Sequence, residues 1–243
     1  MDLNYIYDNM QLERYRPKFE MLQKILGNET KVILEIGGHY GEDTLRFHKF
    51  FPNTQIYSFE PDPRNIEIFK KTCQNIDNIS LIEKAVCDKT DKILDFYMSY
   101  KDEGEEILQD KYKYIGIENY KKLKLNNSGS SSLKKSNRID LINSDKINVN
   151  TIRLDDWIIN NNIDIIDFIW IDVQGAEKEV IEGCEKVMNR IKYIQLEYGE
   201  TSYDGGLSKK QTYDMMINNN FELILDYNPN SGNGDFLFKN KHF

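Results

Sequence analysis

Lys31-Val32-Ile33-Leu34-Glu35-Ile36-Gly37-Gly38-His39-Tyr40-Gly41 is the stretch that decides the architecture of this chain. A short β-branched run ends in glycines, and a polar, helix-compatible segment follows from Glu42 to about Phe51. Strand, glycine turn, helix is the opening unit of a parallel α/β sheet. Upstream, Tyr15, Phe19, Leu22 and Leu26 recur at helical spacing and Gly27 closes a helix from about Leu12. Downstream, Gln55 to Phe59 reads as a second strand. Asp62-Pro63 then supplies an N-cap and a first-turn proline for a helix through about Asn75.

The alternation continues. Ser80 to Lys84, Ile93 to Met98 and Ile147 to Ile152 read as strands, and Leu154 to Asn160 as a short helix. Asp167 to Ile171 is a buried strand. The helix after it shows an apolar face from Ala176 to Met188, and Tyr193 to Glu197 is the next strand. Ser208 and Gln211 form a capping-box pair before a helix through Asn219. Phe221 to Tyr227 and Asp235 to Lys239, joined by a turn-rich linker, suit an antiparallel hairpin. The expected fold is α/β: a doubly wound, mostly parallel seven-stranded sheet with helices on both faces and that hairpin at the C-terminus. One domain is expected over residues 1–243, with an N-terminal helix within residues 1–30. Residues 100–145 break the pattern and read as an insertion, a lid or acceptor-binding segment with one short helix around Ile107 to Tyr120.

Composition bounds the function. The chain has 243 residues, 40% apolar and 30% charged, with a net charge of -8. An acidic chain has no global attraction to nucleic acid or anionic lipid, so neither partner is expected. The first residues lack a basic, apolar leader and no apolar run is long enough to span a bilayer, so a soluble cytoplasmic protein is expected. Cys73, Cys87 and Cys184 are scattered and form no CxxC pair, which suggests neither a disulfide framework nor a zinc site.

The residues with chemical potential sit at strand ends, where such sheets bind ligands. Glycines after the first strand permit tight turns and close ligand approach, or form a purely structural turn. Glu35 before them is placed to attract a cationic amino group. Glu60 ends the second strand, where a carboxylate can accept both hydroxyls of a ribose, and Pro61 fixes the exit of the chain. Ala85 and Val86 follow the third strand and could flank an adenine, with Asp88 accepting from its amine; a plain loop fits equally. Asp172 ends a buried strand ahead of Gly175-Ala176, and Glu197 ends the next one. Either could orient or deprotonate a nucleophile, and Asp172 could equally be a helix cap.

Taken together these segments resemble the FkbM family of S-adenosylmethionine-dependent methyltransferases. Glu35 to Gly41, Phe59-Glu60-Pro61, Ala85-Val86, Gly129 to Leu133, Thr151 to Trp157, Ile171 to Glu177 and Gly232 to Phe238 run in family order, and Asp172-Val173-Gln174-Gly175-Ala176-Glu177 is the most diagnostic. Two departures stand out: Glu35 and Gly38-His39 replace the Asp and Ala-Asn often found there, and Tyr100 to Asn127 matches no family segment. The resemblance implies a class I, Rossmann-like fold and S-adenosylmethionine as cofactor. Glu35, Gly37, Gly38, His39 and Gly41 would bind it with Glu60, Pro61, Asp62, Ala85 and Val86. Ser131 and Ser132 would fold towards it, and Asp172 and Gln174 would border it.

The reaction implied is O-methylation of a sugar, glycan or small natural-product hydroxyl. Asp172 is the first choice of base, Glu197 the second and His39 the third. Asp172 and Glu197 could instead hold Mg²⁺, although two carboxylates are too few to define a metal centre. Tyr203, Asp204 and Lys209 are candidate acceptor contacts. A nicotinamide-dependent oxidoreductase would share the ribose acid but calls for a G-x-G-x-x-G turn that is absent. A non-catalytic nucleoside-binding module on the same fold would be expected to lose Glu60 or the glycines.

Overall fold

The computed structural model describes residues 12–100, 115, 123–125, 127–138, 142–199 and 202–243. The helices are α1 (Leu12–Leu26), α2 (Glu42–Phe50), α3 (Pro63–Thr72), α4 (Leu154–Asn160), α5 (Glu177–Glu182) and α6 (Lys209–Asn218). The strands are β1 (Val32–Ile36), β2 (Gln55–Phe59), β3 (Ile79–Ile82), β4 (Ala85–Val86), β5 (Ile93–Tyr100), β6 (Ile142–Ile152), β7 (Ile166–Ile171), β8 (Ile191–Gly199), β9 (Phe221–Asp226) and β10 (Asn233–Asn240).

Seven strands form the main sheet in the order β3-β2-β1-β7-β8-β10-β9. The pairs β3-β2, β2-β1, β1-β7 and β7-β8 are parallel, whereas β10 runs antiparallel to both β8 and β9. The hairpin expected at the C-terminus therefore inserts its second strand beside β8. Alternation along each central strand sends neighbours to opposite faces. Leu34, Ile36, Ile169 and Ile171 pack with Leu154, Trp157 and Ile158 of α4 and Val180 and Ile181 of α5. Ile33, Phe168 and Trp170 pack on the other face with Phe19 and Leu22 of α1 and Phe47 of α2. At the entry side, Asp167 is buried and accepts from the amides of Lys31 (2.7 Å) and Val32 (3.0 Å), which aligns the start of β1 against β7.

Local signals act as the residue types predict. Asp62 caps α3 by accepting from the Arg64 amide at 2.9 Å, and Ser208 and Gln211 form the capping box of α6. Two features differ from the pattern reading. The segments expected as strands around Ile93 and Ile147 leave the main sheet and join β4 in a separate one, β4-β6-β5, and β6 begins at Ile142, inside the expected irregular segment. The helix expected through Met188 stops at Glu182 with Gly183 as its C-cap, and a Cβ on Gly183 would lie 2.5 Å from the Cys87 carbonyl oxygen. The chain passes Cys87 only as glycine and continues in a 3-10 turn, Glu185–Arg190. The helix expected over Ile107 to Tyr120 lies outside the described residues, apart from Ile115. Among the described residues no helix is long and apolar enough to cross a membrane.

Candidate active site

The sheet changes winding direction between β1 and β7, and the glycine loop lies over that point. The amides of Gly37 and Gly38 both donate to the Phe59 carbonyl, at 2.9 and 3.0 Å, which folds the loop across the end of β2. Gly37 has φ +98, and a Cβ there would sit 1.9 Å from the Asp172 carbonyl oxygen. A Cβ on Gly38 would lie 2.1 Å from Ser58 Oγ, and one on Gly41, at φ +85, 2.7 Å from Cys73 Sγ. These glycines thus admit neighbouring protein atoms. Glu35 lies beneath them, 1% exposed, accepting from Ser58 Oγ at 2.7 Å and from Thr44 Oγ1. Burial, and next Asp43, push its pKa well above the usual carboxylate range. Rather than facing the cleft, Glu35 ties β1 to β2 and to the first turn of α2.

Glu60 ends β2 and is also buried. Its Oε2 accepts from the His39 amide at 2.8 Å, and its Oε1 from the Asp62 amide at 2.8 Å and Asn65 Nδ2 at 3.4 Å. Burial, reinforced by Asp62, pushes its pKa up to about 7. Asn65 Oδ1 beside it is buried without a hydrogen-bond partner among the described residues. A carboxylate with spare lone pairs next to an unpaired amide oxygen fits a ligand that presents hydroxyl donors, as a ribose does. Asp62 is fully buried and turned the other way, forked by Arg64 through Nε (3.0 and 3.2 Å) and Nη2 (2.6 Å). Pro61 is half-buried between them.

Arg64 also reaches the Ser99 and Lys124 carbonyls (3.2 and 2.8 Å) and Ser131 Oγ (3.1 Å). It thereby pins a strap, residues 127–138, across the carboxyl ends of the strands. Ser131 Oγ further accepts from the Ser99 amide at 3.0 Å, and Ser132 Oγ donates to the Val173 carbonyl at 3.0 Å. His39 stacks on Tyr40 with ring centroids 3.6 Å apart. Its Nδ1 meets Glu42 at 3.1 Å and its Nε2 meets Ser128 Oγ at 3.0 Å. Burial alone would lower its pKa, but Glu42, then Glu60 and Asp62, outweigh it and hold the imidazole above its ordinary value. With both nitrogens engaged, His39 anchors the strap and no hydrogen bond joins it to Asp172 or Glu197.

Those two carboxyl groups do meet. Gln174 Nε2 donates to Asp172 Oδ1 at 2.5 Å and to Glu197 Oε2 at 3.2 Å. Tyr203, 6% exposed, places its hydroxyl 2.9 Å from Gln174 Oε1 and 3.0 Å from the Ser130 carbonyl. Glu177 opens α5 and accepts from the Gly175 amide at 3.1 Å, and Asp235 on β10 pairs in register with Glu197. Asp172 is exposed at its own surface although protein surrounds it at longer range. Burial and neighbouring acids therefore raise the pKa of the whole group: Asp172 upward, Glu177 to about 7 and Glu197 to about 9. Like charges this close resist ionising together, and Glu197, the less exposed of the two, is held more strongly toward its protonated form, which leaves Asp172 as the more readily ionised carboxylate. The field at the mouth of the sheet favours a cation. Among the described residues no group of three or more His, Cys, Asp or Glu side chains could hold a metal ion.

The remaining candidate contacts are placed as follows. Ala85 and Val86 are buried in β4, paired with Thr151 and Ile152, and the Asp88 carbonyl accepts from Arg153 at 2.9 Å. Lys209 pairs with Asp226 at 2.6 Å and covers the Tyr198 ring, supporting the hairpin, while Asp204 is exposed. Sequence reasoning missed Arg64, Asn65, Glu177 and Asp235. The signal available for Glu177 is its place two residues after a left-handed glycine, where a first-turn acid can reach back to an amide.

A parallel sheet with a glycine loop, a buried strand-end carboxylate and paired acids at its switch point defines the class of α/β proteins that bind nucleoside cofactors at the strand ends. Within that class, the chain belongs to the FkbM-domain methyltransferases: the family model described as "Methyltransferase FkbM domain" matches residues 35–227. The 2-O-methyltransferase NoeI of Sinorhizobium fredii (strain NBRC 101917 / NGR234) is 32% identical over 218 residues, covering 89% of this chain and 82% of that protein. Backbone likeness to solved structures is looser. The magnesium protoporphyrin IX methyltransferase ChlM from Synechocystis PCC 6803 gives a TM-score of 0.48 at 5% identity, covering 99% of this chain and 86% of that one. An rRNA methylase from Streptococcus thermophilus gives 0.44 at 9%, covering 92% and 93%.

Proposed function

We propose that this chain is an S-adenosylmethionine-dependent O-methyltransferase acting on a hydroxyl of a sugar, glycan or small natural product, with Asp172 as the base. The observation that carries the reading is the Asp172–Gln174–Glu197 constellation beside the glycine loop. Family membership supports methyl transfer, and the relative's designation as a 2-O-methyltransferase supports oxygen as the acceptor atom.

When bound, the cofactor supplies an electrophilic methyl group on a cationic sulfonium. The residues of this chain supply the rest. Glu60, with Asn65, would receive the ribose hydroxyls, and the carboxylates of the cleft would favour a cationic ligand over a neutral one. Asp172 would orient the acceptor hydroxyl and take its proton as the oxygen attacks. Glu197, protonated, would limit the charge that Asp172 has to share its site with. The strap at 127–138 would shield the cleft from water, and holding the reactants in line is worth roughly 7–11 kcal/mol of barrier. On this reading the chain is one domain, and the strap at 127–138 faces the acceptor.

Calorimetric titration with S-adenosylhomocysteine, with NAD as control, tests the cofactor. Binding of the first ligand alone, weakened at least tenfold by Glu60→Ala, is expected. A folded protein that ignores S-adenosylhomocysteine would remove the reading. For the base, Asp172→Asn should keep S-adenosylhomocysteine binding but lower methyl transfer to a responsive sugar acceptor by about 10²–10⁴.

A further inference from the structure

Gln174 stands between the acids of the cleft and the strap that covers it. Its amide nitrogen touches Asp172 and Glu197, and its amide oxygen faces the Tyr203 hydroxyl at 2.9 Å. The backbone that carries it is uncommon: Gln174 at φ +57 and Gly175 at φ +94 are consecutive left-handed residues. That pair of turns brings the side chain back over the end of β7.

Counting hydrogens gives the arrangement its meaning. The Ser130 carbonyl, 3.0 Å from the Tyr203 hydroxyl, can only accept, so one phenolic proton is shared between Ser130 and Gln174. An ionised carboxylate can also only accept. While Asp172 or Glu197 is ionised, the amide NH₂ must therefore face the pair. If both were neutral, their hydroxyls could donate to the amide oxygen instead. The NH₂ would then turn to the Tyr203 oxygen, and the phenolic proton would belong to Ser130 alone.

We propose that Gln174 is a positioning residue that couples the Asp172–Glu197 pair to the strap through Tyr203, its amide held one way while either acid is ionised and free to turn over when both are neutral. This rests on the reading of Asp172 as the base. The ionisable groups around the pair are Glu177 of α5, Asp235 of β10, Asp43 of α2 and His39 of the glycine loop. None of these is in hydrogen-bond contact with the Gln174 amide among the described residues.

The test is a carboxyl ¹³C NMR titration of the full chain, with Asp172→Asn and Glu197→Gln to assign the two signals. Gln174→Met keeps the side-chain length and removes the amide; Tyr203→Phe keeps the ring and removes the hydroxyl. A hydrogen bond to an ionised group lowers a carboxyl pKa, so Gln174→Met should move the Asp172 midpoint up by about 1–2 pH units. Tyr203→Phe should move it up by less. The Ser132 amide, bonded to the Tyr97 carbonyl at 3.1 Å, reports on the strap. Its protection factor should change across the titration of the pair in the native protein and lose that dependence in both variants. An unmoved Asp172 midpoint in Gln174→Met with a native amide spectrum would overturn the proposal. Should that variant unfold, an unmoved midpoint with native strap protection in Tyr203→Phe would do the same. Binding of S-adenosylhomocysteine separates this from the function proposed above. Shifted midpoints in a protein that does not bind it would leave the coupling standing, and binding without shifts would refute the coupling alone.

Discussion

Replacing Gly37 by alanine tests whether the glycine loop is built for its protein neighbours. The residue has φ +98, a conformation that costs a residue with a side chain about 1–2 kcal/mol. The new Cβ would also lie 1.9 Å from the Asp172 carbonyl oxygen, a backbone atom held by its own ladder. The Asp172 amide donates to the Ile36 carbonyl at 2.9 Å, so neither partner can withdraw without loosening β1 from β7. Forcing atoms into a packed site costs a further ~1–3 kcal/mol, which gives about 2–5 kcal/mol in all. Gly27 is the matched control: it has φ +82 and a Cβ there would meet nothing within 4 Å, so Gly27→Ala carries the backbone cost alone. Urea unfolding of both variants, fitted with a common slope, isolates the contact. Gly37→Ala should also weaken S-adenosylhomocysteine binding, since Asp172 must move, whereas Gly27→Ala should not. Equal destabilisation by the two substitutions, within about 0.5 kcal/mol, would refute the reasoning.

Three further outcomes follow from the charges at the site. The folded pKa of Glu177 is raised to about 7, so its protonated form stabilises the fold below about pH 4.5 and that contribution is lost as pH rises to about 7. Glu177→Gln should flatten this part of the stability–pH curve and raise stability at pH 8 by up to about 3 kcal/mol, measured by urea unfolding at each pH. His39 also has a raised pKa, so its contribution is complete below its ordinary value of 6.5 and fades as pH climbs through the folded value. Thermal melts of His39→Gln should lack that fade. Arg64→Ala leaves the fully buried Asp62 without its partner and should cost about 3–5 kcal/mol, with Arg64→Lys recovering little because one ammonium cannot replace the fork. Hydrogen exchange should show the strap amides of that variant opening first.

What the sequence discloses and what it hides have physical causes. Glycine after a β-branched run is legible because few residues adopt the backbone that Gly37 and Gly41 adopt, and the acids ending β2, β7 and β8 are legible because a strand end in a parallel sheet faces the ligand edge. The partner of each residue is less so. Glu35 reads as a ligand contact from its place before the glycines, yet strand alternation turns it under the loop toward Ser58 and Thr44. The sequence marks Ile93 to Met98 as a strand but cannot say which sheet it joins, because that depends on pairing with β6 across about fifty residues of chain. Arg64 looks like a solvated first-turn cation; its four partners come from α3's own cap, β5, the carbonyl of Lys124 and the strap, and only folding assembles them.

For the same cause, the acids of the cleft are legible singly and not as a group. Asp172 and Glu197 lie on neighbouring parallel strands, so their approach follows from the order β7-β8 once the sheet is known. Asp235 joins them only because β10 doubles back between β8 and β9, a reversal that brings its carboxylate into register with Glu197. Each acid alone is ordinary at a strand end. Burial at the strand ends raises their pKa values and the acids add to the rise through one another, a grouping set by topology; on the function proposed above, it is what favours a cationic ligand and leaves Asp172 as the base.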